Sequence, residues 1–201
     1  VGIAIDKKGN PWITDHGTSI FFMVNSTNGK ISEFSTSPLS RISANIPKDF
    51  SYTLPYWIRI DLKGNLWFNE HIGNKIAKFN PTNGTLVEYW IPTQNSLWAP
   101  CTLNESSCGI SNTLQFSIGK NNQLWFSEWT ENKLGMLNGS RPLPFVVDTS
   151  STDLNIKRGE TTEIPLSVSA NEHVNLKMIA SSTFTNTGDI GNSSFSFSQE
   201  S

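Results

Sequence analysis

A chain of 201 residues with a formal net charge of −2 is long enough for one large domain or two small ones with a real core. Fifteen basic against 17 acidic residues, and only 16% charged residues overall, argue against nucleic acid or an anionic membrane as the main partner. A hydrophobic content of 36%, with 7 Trp and 12 Phe, excludes wholesale disorder, and the longest apolar run, Ile20 to Val24, is far too short to span a bilayer.

The chain opens on Val1-Gly2-Ile3-Ala4-Ile5-Asp6, which reads as the middle of a strand, with no signal peptide ahead of it. A fragment or a processed chain is expected. Comparison of the sequence with itself is informative from here on. Ile5 to Phe34 align without a gap on Ile60 to Tyr89, at a constant offset of 55. The identical columns include Asp6/Asp61, Gly9/Gly64, Asn10/Asn65, Trp12/Trp67, His16/His71 and Gly29/Gly84. A third copy, Ile118 to Asn138, keeps Trp125, Glu128, Asn132 and Lys133 but lacks the Asp and Gly of the first turn.

Each copy reads as β-structure. In the second, an apolar strand ends at Ile60-Asp61, and a Gly64-Asn65 turn leads to the aromatic strand Leu66-Trp67-Phe68. The turn His71-Ile72-Gly73-Asn74 precedes the alternating Lys75 to Phe79, and Asn83-Gly84 opens the last strand, Leu86 to Tyr89. Four antiparallel strands per unit, repeated in tandem, predict β-propeller blades. The Trp at 12, 67 and 125 shares one register and is expected in the core between blades. Asp6 and Asp61 are expected to serve their turns.

The pattern Ile-Asp-x-x-Gly-Asn-Leu-Trp-Phe-x-Glu-x-x-x-Asn-Lys-Ile-x-x-Phe-x-Pro-x-x-Gly-x-x-x-Glu-Tyr resembles the streptogramin (virginiamycin B) lyase repeat. NHL-type and SMP-30-type propellers are looser relatives. The resemblance covers residues 1 to about 140 and implies three blades of an incomplete ring. Remaining blades or a partner chain would then close the propeller. It also implies a magnesium-dependent carbon–oxygen lyase with His and Glu at the heads of inner strands, in a Pro-His-Gly-Ile-like context. The matching positions here are Pro55-Tyr56-Trp57-Ile58 and Thr113-Leu114-Gln115-Phe116, without the His, while Val1 occupies the matching column of the first copy. No catalytic residue is therefore assigned. Magnesium is expected only if a lyase site lies in blades outside this chain. A sugar-lactone hydrolase of the SMP-30 type would need an acidic metal cluster that these residues do not assemble.

Blade topology places the turns after Asp15-His16, Glu70-His71 and Glu128-Trp129 on one face, together with the insertions Ser35 to Tyr56 and Trp90 to Thr113. Asp15, His16, Tyr56, Trp57, Glu70, His71, Trp98, Glu128 and Trp129 are the binding-face candidates. An aromatic rim suits a protein, peptide or glycan ligand, while the plainer reading has these aromatics capping the core under long loops. Carboxylate and imidazole can bind a metal or exchange protons, but adjacent strand residues point to opposite faces. The plainer reading makes these turn-flanking polar residues, and no metal site is assigned.

Cys101 and Cys108 flank a polar loop and are expected to form a disulfide in an oxidising compartment, with free thiols or half of a metal site as the alternatives. Asn, Ser and Thr are abundant, which suits an extracellular or cell-envelope glycoprotein with sequons at Asn25, Asn83, Asn104, Asn138 and Asn192. Five sequons is the number that this composition gives by chance.

Residues 141–146, with their prolines, read as a linker, and 147–201 as part of an immunoglobulin-like β-sandwich. Its expected strands are Asp153–Lys157, Thr162–Val168 and Val174–Ile179, with another starting at Phe195. The Ser/Thr-rich stretches leave a flexible stalk as the alternative. The whole is read as an all-β chain, a lyase-like partial propeller of three four-stranded blades followed by a partial sandwich. Its expected role is a binding or structural module of the cell surface.

Overall fold

The computed structural model describes residues 1–37, 52–95, 109–143, 145–149 and 160–170. They fall into two compact units, Val1–Arg141 and Pro142–Ser201. The first unit is built from sheets of neighbouring antiparallel strands, in chain order within each sheet.

The first sheet contains β1 (Ile3–Ile5), β2 (Pro11–Thr14), β3 (Ile20–Val24) and β4 (Ile31–Ser35). The second contains β5 (Pro55–Ile60), β6 (Leu66–Glu70), β7 (Lys75–Asn80) and β8 (Thr85–Trp90). The third contains β9 (Thr113–Ile118), β10 (Gln123–Glu128) and β11 (Lys133–Asn138). Two sheets thus have the expected four strands. The third has three among the described residues, because the next described strand belongs to the other unit. β1 lies beside β5 and β5 beside β9, so the first strand of each blade faces its neighbours in sequence order, as in a propeller.

Alternation within the strands builds the core between blades. Trp12, Phe21, Ile58, Leu66, Phe68, Ala77 and Phe79 form one buried cluster, and Trp67, Ile76, Ile91, Phe116, Leu124 and Phe126 form the next. Each cluster draws on residues of two successive sheets. The Trp column follows this rule only where a following blade is among the described residues: Trp12 is 3% exposed and Trp67 0%, but Trp125 is 49% exposed. The expectation that Trp125 is core is therefore corrected, since no described sheet packs over it. Leu134 is likewise 71% exposed where its repeat counterpart Ile76 is 1%.

The turn that opens each blade shows why its residues recur. The Asp61 carboxylate accepts the backbone N–H of Lys63 and of Asn65, the Asn65 side-chain amide, and the Trp67 indole N–H at 3.0 Å. Asp6 does the same for Lys8, Asn10 and Trp12. Gly64 sits at φ 88°, a left-handed conformation that residues with a Cβ disfavour. In the third copy Asn122 takes this position at φ 56°, since Asn tolerates the region better than other side chains.

The second unit shows β12 (Phe145–Thr149) paired antiparallel with β13 (Leu166–Ala170), Phe145 opposite Ala170. β12 begins inside the expected linker. β13 starts later than the expected Thr162–Val168 strand, after Pro165, which has no N–H for a ladder. The other expected strands, Asp153–Lys157, Val174–Ile179 and the one from Phe195, lie outside the described residues, and a two-stranded ladder does not establish a sandwich. Cys101, Cys108, Trp98, Phe50, Asn104 and Asn192 also lie outside them.

Candidate functional site

The site grows from the β2–β3 and β6–β7 turns, which the repeat places side by side in neighbouring blades. Between them runs the segment Thr53–Tyr56, which leads into β5. Its backbone is held from both sides. Leu54 N–H donates to Thr18 C=O (3.1 Å) and Thr53 N–H to Ser19 Oγ (2.9 Å) on the first blade. The N–H groups of His71, Ile72 and Gly73 on the second blade donate to Leu54 and Thr53 C=O at 3.0–3.1 Å. These contacts hold Leu54 at φ 54°, an uncommon conformation for a branched side chain.

Side chains on the second strands tie one blade to the next. Thr14 Oγ1 accepts Gly2 N–H at 2.9 Å and donates to the Tyr56 C=O of the next blade. Asn69 repeats this device: its Oδ1 accepts Trp57 N–H at 2.7 Å, while its Nδ2 donates to Thr113 C=O on the third blade. Ser127, in the same column of the third blade, turns back on Gln115 of its own sheet. Asn74, at φ 52°, donates to Ile91 and Thr93 C=O and accepts from Ser111 N–H and Oγ, pinning the crossing to the third blade.

The structure separates the members of the two candidate pairs, in turns that follow the end of β2 at Thr14 and of β6 at Glu70. Asp15 caps its own turn, accepting from Gly17 N–H and Thr18 Oγ1 at 2.9 Å. Its neighbour His16 faces the second blade, where its Nε2 lies 2.8 Å from His71 Nδ1. The ring centres are 5.1 Å apart, which puts both nitrogens near the line joining the rings, as a hydrogen bond requires. The Tyr56 ring lies against both imidazoles, 4.8 Å from His16 and 6.0 Å from His71. Burial, reinforced by the neighbouring His16, pushes His71 down to about 4. Burial lowers His16, against the pull of Asp15.

Glu70 points the other way, into the sheet, and is fully buried. Its Oε2 is 3.4 Å from Lys75 Nζ, which also lies 3.3 Å from Glu88 Oε1. One ammonium cannot neutralise two buried carboxylates. Burial raises Glu70 to about 9 despite Lys75, and Glu88 adds to the rise, which favours its neutral form. Burial acts on Glu88 in the same sense, but its hydrogen bonds and Lys75 outweigh it and hold it ionised. The Gly73 position is packed against Glu70, whose Oε2 would lie 2.6 Å from an added Cβ.

Trp57 stacks under the Arg59 guanidinium at 4.4 Å, and Glu128 is buried while the adjacent Trp129 is exposed. Thr14, Asn69, Asn74 and Leu54, which position the cluster, were not singled out from sequence. The equivalence of Thr14, Asn69 and Ser127 by column, all small and polar, was the available signal.

Among the described residues no three His, Cys, Asp or Glu side chains gather to hold a metal ion. The donors at hand do not fit the magnesium that the repeat resemblance implies. That ion takes oxygen ligands in octahedral array. The two imidazoles here are hydrogen-bonded to each other, and the Glu70 carboxyl is taken up beside an ammonium.

No family model matches the sequence, and no curated protein matches it. Solved structures do. Virginiamycin B lyase from Staphylococcus aureus matches at 25% identity and a TM-score of 0.50, over 69% of this chain and 37% of that chain. A streptogramin B lyase structure matches at 24% identity and TM-score 0.49, over 71% of this chain and 40% of that one. The extracellular domain of the one-component system BT4673 from B. thetaiotaomicron matches at 17% identity and TM-score 0.40, over 68% of this chain and 16% of that chain. The chain thus spans less than half of these proteins, and what it shares with virginiamycin B lyase is the fold of several propeller blades.

Proposed function

We propose that this chain is a stretch of lyase-like propeller that serves as a binding or structural module of an extracellular or cell-envelope protein. Its ligand, a protein or glycan, is taken on the face that carries the long insertions. The observation that carries this reading is the Tyr56–His16–His71 cluster, fixed by backbone hydrogen bonds from two blades on that face. At the inner-strand heads, where the resemblance calls for a catalytic His, this chain has Val1, Tyr56 and Leu114. Exposed Tyr52, Trp90 and Trp129 add aromatic surface. Among the described residues no helix is long and apolar enough to cross a membrane.

Further blades of the same repeat, or a partner chain, would complete the ring. The exposed Trp125 and Leu134 at one end, and Ile3 at the other, occupy columns that a neighbouring blade buries elsewhere in the chain. The propeller residues 1–140, the linker 141–146 and a sandwich over 147–201 form the proposed domain plan, with a Cys101–Cys108 disulfide and glycans on the sequons.

The likeness to virginiamycin B lyase favours a second reading, a magnesium-dependent carbon–oxygen lyase with its active site in further blades. The encoding gene, read beyond these 201 residues, separates the two. A Pro-His-Gly-Ile-like inner-strand head elsewhere in the ring supports the enzyme, and its absence from every blade removes it. In parallel, the purified chain is screened against glycans and peptides. Binding that Tyr56→Ala or Trp129→Ala weakens at least tenfold supports the module. Binding untouched by either change moves the site off this face.

A further inference from the structure

The His16–His71 contact joins two blades through one shared proton. With 2.8 Å between the nitrogens there is room for a single hydrogen, donated by one ring and accepted by the other. If both rings are charged, each nitrogen of the contact carries a proton, the hydrogen bond is lost and two cations face each other. The outer nitrogen of His71, Nε2, is buried and has no hydrogen-bond partner among the described residues. A proton placed there would be desolvated without compensation.

We propose that His16 and His71 form a one-proton latch between the first two blades, closed near neutral pH and opened by acid. Among the described residues, the charged and titratable groups around it are few. Asp15, beside His16, favours the imidazolium but is occupied in capping its turn. Tyr56 packs its ring against both imidazoles, and Glu70, next to His71 in sequence, points inward to Lys75. None of these offers the pair a free carboxylate to hold two protons.

The sign follows from linkage. Both histidines are harder to protonate in the folded chain than in the unfolded one. The latch therefore contributes in full above an ordinary imidazole value and weakens as pH falls below it, towards the His71 value of about 4. Across that window each pH unit lowers the ratio of closed to open turns by up to about tenfold. Opening would break the direct contact between the β2–β3 and β6–β7 turns, while the backbone bonds of Thr53 and Leu54 still span them. The inference concerns the chain alone and needs no ligand, so it stands apart from the proposed binding role.

The test is a histidine nitrogen-15 NMR titration of the whole chain from pH 8 to 4.5. The chain has 3 His, at 16, 71 and 173, which single Gln variants assign. The expected result is a scalar coupling between His16 Nε2 and His71 Nδ1 at pH 7, lost in a single step on acidification. In His71→Gln, His16 then shifts towards an ordinary imidazole titration. Absence of the coupling in the wild-type chain at pH 7, with both rings titrating independently at ordinary values, overturns the latch. That wild-type measurement decides the matter even where a variant fails to fold.

Discussion

The Asp61 carboxylate lies 3.0 Å from the indole nitrogen of Trp67, and that one contact ties the turn of a blade to the core between blades. The other oxygen of that carboxylate, Oδ1, holds the turn through Lys63 and Asn65, so loss of the carboxylate undoes the turn and leaves a fully buried indole N–H without an acceptor. Asp61→Ala is expected to destabilise the first unit by about 2–4 kcal/mol, and Asp61→Asn by about half of that. Asp61 is held below the ordinary carboxylate range by hydrogen bonds from Asn65 and Trp67 that outweigh the opposing effect of burial. Its contribution is therefore present above an ordinary Asp value and disappears as pH falls through the folded value. Urea denaturation at pH 7 and pH 3 measures both effects: the gap between wild type and Asp61→Ala should narrow at the lower pH.

Gly119 occupies the Asp column of the third copy, and the backbone there is extended, at φ −86° and ψ −173°. A Cβ at Gly119 meets only ordinary contacts, the nearest at 3.4 Å. Gly119→Asp should therefore restore an acceptor for the turn and for Trp125, raising stability by about 0.5–1 kcal/mol. A thermal melt showing no gain, or a loss, would mean that the third turn cannot adopt the geometry of the other two.

At Glu70 the carboxyl is held neutral at the expense of its ordinary ionisation. The unfolded chain releases this proton above an ordinary Glu value, while the folded chain keeps it up to about 9. Stability from this group is thus present at low pH and declines as pH rises between the two values. Glu70→Gln removes the decline, so its stability relative to wild type should improve by up to about 1.4 kcal/mol per pH unit in that window. Lys75→Met leaves the half-buried Glu88 without its ammonium and should cost about 1–3 kcal/mol at pH 7. Parallel denaturation series from pH 5 to pH 8.5 test both, and a Glu70→Gln curve that tracks wild type would show an ionised Glu70.

Asn74 combines a left-handed backbone with hydrogen bonds that its side chain makes in both directions across the blade seam. Asn74→Gly keeps the backbone and loses the side-chain bonds, at about 2 kcal/mol, while Asn74→Ala loses both and should cost about 1 kcal/mol more. Equal losses in the two variants would show that the conformation at this position contributes nothing.

Ile76 and Leu134 share a repeat column but not an environment. Ile76→Ala should cost about 2–5 kcal/mol, as core truncations do, while Leu134→Ala in this chain should stay within about 0.5 kcal/mol. In a longer protein whose next blade covers Leu134, the two losses should become comparable. Melts of both variants in the short and the long chain make the comparison, and equal insensitivity of Leu134 in both would remove the case for a blade on that face.

The offset of 55 between two thirty-residue copies made the first two blades legible in sequence, including the Gly and Asn turns and the register of Trp12 and Trp67. Local chemistry sufficed there, because turn conformation and strand alternation depend on near neighbours in the chain. The candidate face was legible too, since hairpin parity sends the Asp15-His16 and Glu70-His71 turns to one side. What each of these side chains does was not. That His16 meets His71, while Glu70 turns inward to Lys75, depends on how closely two blades approach, and no spacing within one blade contains that distance. The Trp column shows the same limit: sequence put Trp125 in the core with Trp12 and Trp67, but burial belongs to a pair of blades, and the described structure sets nothing over Trp125. The sequence by itself determined the blade, because a blade is made of local hydrogen bonds and a period of two. Only the tertiary structure decided the seams, where Thr14, Asn69, Asn74 and the two histidines find partners that lie in another repeat.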